Sequence, residues 1–499
     1  MEKTQEVSVA KGVTGELVCT EAVENVWFSP GRLGRSQSKT PRREEAVVQI
    51  SASKYSVLSV DDAEEGEVLL TTLNGGDEVS IEEEGENETR EEDLLEDEIL
   101  EQITKENEKV GEQSTPYKKA VFEAVSYLIS EDRDDDLALE LHTQLLQRFP
   151  KDLASLKRAE VLCFYMGQPA PFLSLVQQVL PVNQEESYIH GMLAFPLLEL
   201  GRMEEAAAAS RKGYEINKEG LWAHHFLCHV LQHECKFKEA VEFMEELSES
   251  WQSCSSFLYT HNWWHIAALC YLEGGSPMSK IEEIYDNHIW KELEKGDTVP
   301  PEVYPNAIAL LLRLDVRDAL KGSFEDRLKL LAARLTDQEN WYMSWHLDIL
   351  IVWALAKVGE TSRARELLEG LKLRLSKMNK KKQQVMQKGI QLGEAVYEYA
   401  KGNYKQALEL LGSDFNAFGY KITGASDEQI DVFNEMWCQL LLTTGQSKTA
   451  KEVIRERTKV RDGVPFMWRL LEKSYTMKGN AEADESAGDR AKKLESSYF

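Results

Sequence analysis

The sequence predicts an all-α chain, a right-handed α-α superhelix of stacked helix pairs, preceded by a disordered acidic N-terminal region. Two sets of spacings and one compositional break carry that prediction. Ala138, Phe172, Ala206 and Ala240 are each 34 residues apart, as are Gly167, Gly201 and Cys235. Gly359, Gly402 and Gly445 lie 43 residues apart, and so do Ala364, Ala407 and Ala450. Before Tyr117 this pattern is missing and charge takes its place.

Residues 1–115 read as a disordered leader. A Ser/Arg/Pro-rich piece (29–43) carries the basic cluster Arg32, Arg35, Lys39, Arg42 and Arg43, and an acidic run follows at 61–101. That run holds 19 Asp and Glu against one Arg, a charge of −18 out of the −28 of the whole chain. Self-repelling charge with little apolar surface cannot offset the entropy lost on ordering. The piece 42–68 resembles acidic linkers in plant retroelement-derived reading frames. Residues 102–499 carry only −11, so no nucleic-acid partner is expected for the body of the protein.

From Tyr117 the helical period persists, with no competing strand alternation. A 34-residue unit is two antiparallel helices with their turns. It needs a small residue where the second helix crosses the first, and a turn residue that tolerates positive φ. These units match tetratricopeptide repeats and run over about 118–290. A connector over about 300–340 follows, with a loop at 298–306 and a buried helix at 307–316. Repeats of the 43-residue stride cover about 341–480, the extra residues lengthening helices or loops such as the basic 376–384. Stacked units form one continuous core and a concave face lined by the first helices.

Seven cysteines without a Cys-x-x-Cys pair argue against a disulfide framework and a thiolate zinc site. The N-terminus lacks a secretory pattern and no apolar run reaches the length of a membrane helix. The chain therefore reads as cytoplasmic or nuclear, with no membrane partner.

Eight of the ten histidines lie between His190 and His288. In the repeat register His190 and His224 fall at a core-facing position. His225, His229 and His233, spaced by four, share one helical stripe facing the groove. His261 and His265 fall on the next first helix, about 8–10 Å away in such stacks. Imidazoles four apart on each of two facing helices could complete a zinc-type shell, with Glu234 or Asp286 as nearby carboxylates. No phosphate-binding Gly-rich loop, nucleophile elbow or dinucleotide fingerprint occurs. Cys228 reads as an inert packed thiol.

The stretches GMLAFPLLELGRMEEA (191–206), WAHHFLCHVL (222–231), HNWWHIAALCYLEGG (261–275), IYDNHI (284–289) and ALLLRLDV (309–316) resemble the tetratricopeptide repeat protein 38 family over about 130–480. The resemblance implies an all-helical repeat protein in which the counterparts of His225, His229, His261, Asn262, Trp264 and His265 recur. His224 and His233 depart from it, which favours a two-plus-two histidine arrangement. Three functional readings stand together. The first is a non-enzymatic scaffold that takes a protein or peptide in its concave groove at those six residues, without a cofactor. The second is one zinc-like divalent metal on His225, His229, His261 and His265, forming a hydrolase-like site. The third is a set of structural histidines in a groove filled by the chain itself.

Overall fold

The computed structural model describes residues 115–129, 134–295, 303–477 and 481–499. The expectations for the leader, its basic cluster and its acidic run lie outside the described residues. Within them the secondary structure is helical, without strands.

Helices α1 (Pro116–Ile129) and α2 (Asp135–Arg148) precede three regular pairs. These are α3 (Leu153–Tyr165) with α4 (Pro169–Val179), α5 (Ser187–Glu199) with α6 (Met203–Ile216), and α7 (Leu221–His233) with α8 (Phe237–Leu247). The spacing residues do what the sequence requires of them. Gly167, Gly201 and Cys235 turn the chain at φ of 62°, 71° and 57°. Ala138, Ala206 and Ala240 have no exposed surface. Even a histidine contact repeats at the 34-residue stride. His190 Nε2 meets the Gln184 carbonyl at 2.9 Å, and His224 Nε2 meets the Lys218 carbonyl at 2.6 Å. Each imidazole ties its helix to the turn six residues before it, so both are structural.

The next pair departs from the α-helical period. Helix α9 opens as Ser256–Trp264, winds as a π-helix over His265–Tyr271 and closes as Leu272–Gly274. Helix α10 behaves alike, with Met278–Ile284, a π-helical Tyr285–Trp290 and Lys291–Leu293. Such i→i+5 winding inserts residues into a face and is frequent at functional sites.

Helix α11 (Val303–Val316) starts within the stretch expected to be a loop, 298–306, whose first residues lie outside the described ones. Pro305 sits in its first turn, where the missing N–H would have had no helical acceptor. After α12 (Ser323–Arg334) come α13 (Trp345–Val358) with α14 (Thr361–Lys377), α15 (Lys380–Ala400) with α16 (Tyr404–Leu411), α17 (Asp427–Thr443) with α18 (Ser447–Val460), and α19 (Pro465–Thr476) with α20 (Ala481–Tyr498). The basic 376–384 stretch is mostly helix rather than loop. Only Met378 and Asn379 separate α14 from α15, because the Asn379 side chain caps the second helix.

The superhelix closes on itself. Lys381 and Lys382 of α15 pair with Asp136 and Asp135 of α2 at 2.7 and 2.9 Å. Lys421 pairs with Glu199 of α5 at 3.0 Å and with Asp427 of α17 at 2.7 Å. Helices α11 and α17 run between the two halves, and Arg313 of α11 is fully buried against Glu435 of α17. The chain's own helices therefore occupy part of the space that an open solenoid would leave as a groove.

Gly167 tests this closure. A Cβ there would meet the Ile422 backbone nitrogen at 2.8 Å, whereas a Cβ at Gly201 would meet nothing within 4 Å. Both substitutions to Ala incur left-handed strain of about 1–2 kcal/mol. Gly167→Ala is expected to cost a further ~1–3 kcal/mol by overpacking. Equal losses for the two variants in urea unfolding would mean that the closure is not tight.

Candidate functional site

Four imidazoles meet where α7 faces α9. The His265 ring centre lies 4.6 Å from His225, 4.3 Å from His229 and 4.8 Å from His261. The spacing of four places two rings on each helix, and π-helical winding begins at His265 itself. His225, His229 and His265 each present a ring nitrogen such that all three atoms lie within 4.8 Å of one another. All four side chains are buried.

Their partners fix the protons. His261 Nδ1 donates to Asn306 Oδ1 at 2.9 Å, and Asn306 is itself oriented by Nδ2 donating to Thr260 Oγ1. His225 Nδ1 donates to Asn262 Oδ1 at 3.3 Å. His229 Nδ1 lies 3.0 Å from Glu428 Oε1, an ion-pair contact whose angle falls short of a hydrogen bond. With each Nδ1 proton facing an oxygen, each Nε2 presents a lone pair. Yet His225 Nε2 and His229 Nε2 are only 2.9 Å apart. One proton on His229 Nε2 makes this an ordinary N–H···N hydrogen bond, with Nδ1–H still facing Glu428, whereas a metal ion takes both lone pairs once the rings move slightly apart. His265 adds two buried ring nitrogens that have no protein partner.

Burial, reinforced by the neighbouring histidine charges, holds His225 and His265 well below the ordinary imidazole value. Burial likewise takes His261 down to about 4. Neutral imidazole is the ligating form. At Glu428 burial raises the carboxyl, but the close contact with His229, a backbone hydrogen bond and the Arg461 charge outweigh it and leave the group at about 2.

The cluster opens on a cavity of about 200 Å³. His225, His229 and His261 line it, with His265 behind them. Phe164, Phe195, Trp222, Phe226 and Phe257 form apolar walls, and the polar part includes Lys157, Glu160, His346, Ser426 and Gln429. Lys157 pairs with Glu160 at 3.0 Å and lies over the Trp222 ring at 4.7 Å.

The remaining sequence candidates sit elsewhere. Asn262 and Trp264 are packed interior rather than cavity lining. Trp264 stacks on His261 at 5.6 Å and so backs the cluster. His233 is half-buried and outside the cavity lining, within the fields of the Arg461, Glu428 and Glu234 charges. His288 stacks on Trp263 at 3.5 Å and meets Tyr259 Oη. The carboxylates expected from the sequence are corrected. Glu234 is exposed and pairs with Lys236, and Asp286 pairs with Arg327. The carboxylate at the cluster is Glu428, brought from α17. Its position in the first turn follows from the Ser426/Gln429 capping box, but no spacing connects it to residue 229. Asn306, His346 and Lys157 are equally remote in sequence.

No protein-family model matches the chain. Among solved structures, it is similar to human IFIT1 bound to m7Gppp-AAAA at 14% identity, covering 76% of this chain and 72% of that one, with a TM-score of 0.32. It is also similar to Naa15/Naa10 bound to HypK-THB at 12% identity, covering 76% and 64%, with a TM-score of 0.23. The TPR domain of P58(IPK) matches at 14% identity, covering 71% and 92%, with a TM-score of 0.20. Among the described residues no helix is long and apolar enough to cross a membrane.

His346 gives a pH test of the cavity wall. It is buried with neither ring nitrogen hydrogen-bonded, and burial lowers it to about 4. A histidine depressed in the folded state contributes stability above its unfolded value of 6.5, and that contribution fades as pH falls toward 4. His346→Leu is expected to be neutral or stabilising at pH 7. It should also remove about 3 kcal/mol of the wild-type loss between pH 6.5 and 4. Parallel acid-limb slopes for the two proteins in chemical denaturation would contradict this.

Proposed function

We propose that the chain holds one divalent metal ion on His225, His229 and His265, with His261 as a fourth imidazole, and uses it to bind and polarise a small molecule in the adjoining cavity. The observation that carries this reading is the convergence of buried ring nitrogens from His225, His229 and His265 within 4.8 Å of one another, with neither His265 nitrogen hydrogen-bonded to the protein. A tetrahedral zinc at Zn–N of about 2.0–2.1 Å sets its nitrogens about 3.3 Å apart. Modest side-chain shifts bring the present spread of 4.8 Å to that size. Asn262, Asn306 and Glu428 then serve as the outer partners that orient metal-bound imidazoles. A bound ion would supply Lewis acidity at the cavity wall.

A scaffold role for the helical-repeat fold is the second reading, favoured by the repeat architecture itself. The six candidate residues bear on it less directly, since all are buried and Asn262, Trp264 and His265 lie outside the cavity lining. A protein or peptide partner would then engage another face of the superhelix.

Elemental analysis of the full chain, purified without a His-tag or chelator, separates the two. About one zinc, iron or manganese per chain is expected. His229→Ala combined with His265→Ala should abolish it, and His233→Ala should leave it in place. Restoring metal at about 100 Kd should add ~2.7 kcal/mol of stability. A well-folded protein free of metal, including after incubation with each ion, would sink the metal reading.

A further inference from the structure

Resting on that metal reading, we infer that the cavity takes a single-ring aromatic monoanion whose oxygen atom ligates the ion and whose ring lies against Trp222 and Phe226. Size sets the first limit. An apolar cavity of about 150 Å³ holds benzene, so about 200 Å³ accommodates one substituted ring and not two fused ones. Shape sets the second. Phe164, Phe195, Phe226 and Trp222 form a continuous ladder, with successive ring centres 5.9, 5.9 and 5.8 Å apart. Phe257 faces His261 in parallel at 5.2 Å. Aromatic walls of this kind suit an aromatic guest, since offset or edge contacts between rings add to plain burial.

Charge sets the third limit. Lys157 and Glu160 neutralise each other at the cavity wall. The imidazoles are neutral ligands and Glu428 supplies one negative charge behind His229. A divalent ion in this setting keeps one uncompensated positive charge among side chains that are themselves buried. A buried charge of that kind requires a partner, and one anionic oxygen of the guest supplies it. Trp222 adds a polar handle, since its Nε1–H is buried without an acceptor. An aliphatic amine or a neutral arene would satisfy the walls or the volume but not the charge.

The test uses the full chain loaded with one Zn²⁺, metal content being measured on the same sample, with benzoate as the probe in calorimetry. Benzoate should bind at least tenfold more tightly to the loaded protein than to the stripped one. It should also bind at least tenfold more tightly than benzylamine, toluene or 2-naphthoate. Trp222→Leu should weaken benzoate at least tenfold with the zinc content unchanged, and Trp222→Phe should recover part of that loss. Loaded protein that ignores benzoate, or binds benzylamine or 2-naphthoate equally well, overturns the inference about the guest and leaves the metal reading standing. Unchanged benzoate affinity in Trp222→Leu overturns the placement of the ring. Protein that takes up no metal overturns both.

Discussion

The interaction on which the site depends is a buried ionic network between the two halves of the superhelix. Arg317, just past the end of α11, meets Glu435 of α17 at 2.6 Å, and Arg313 lies between Glu435 and Glu273 at the end of α9. Arg461 closes the ring onto Glu273 at 2.6 Å, and Arg457 grips Asp431. Burial alone would raise the Glu435 carboxyl, but the Arg317 and Arg313 charges hold it below its ordinary value. Networks of this kind contribute little net stability, because desolvation consumes most of the Coulomb energy. Removing one member, by contrast, strands another charge in the interior. The effect here is positional. The network fixes α17 against α9 and α11, and α17 carries Glu428 to His229. Arg313 Nη2 also donates to the Glu428 carbonyl at 2.6 Å, so the network grips that residue directly.

Much of the fold was legible because tetratricopeptide-like repeats write their geometry into fixed spacings. Gly167, Gly201 and Cys235 were identifiable as turn residues, and Ala206 and Ala240 as crossing points, since each role admits few residue types. The histidine stripe was legible for the same reason: His225 and His229 are four apart on one helix, as are His261 and His265 on the next. What the sequence could not carry was long-range closure. Nothing in the spacing of Glu428, Asn306 or Lys157 reports that they end beside residues 225–265. The π-helical winding at His265 was equally hidden, because its bonding pattern has no compositional signature. The carboxylates chosen for nearness in sequence, Glu234 and Asp286, face other partners.

Closure also changes what a repeat protein can do. An open solenoid offers an extended concave surface suited to a peptide, with every site half in water. Here the contacts of α2 and α5 with α15 and α17 fold that surface inward. The first helices α3, α5 and α7 then contribute Phe164, Phe195, Trp222 and Phe226 to a compact cavity wall. In such a place electrostatic interactions are stronger and an unpaired polar atom is more costly. Side chains that would be ordinary on a groove acquire chemical consequence.

That cost bears on the choice between the two cations able to separate His225 Nε2 from His229 Nε2. A proton alone suffices with Asn262 as it is placed: His225 Nδ1–H donates to Asn262, and an imidazolium at His229 faces Glu428 through Nδ1–H and donates Nε2–H to His225 Nε2. This chain accounts for two of the four imidazoles. It leaves His265, at 4.3 Å from His229 and 4.6 Å from His225, with both nitrogens buried and unpaired. Each stranded polar atom costs about 1–3 kcal/mol, and an apolar side chain of similar size would fill the same space without that penalty. A metal ion gives one His265 lone pair a partner. His346 strands both of its nitrogens as well, so what favours the metal is the convergence of His265 with His225 and His229, not its unpaired nitrogens alone.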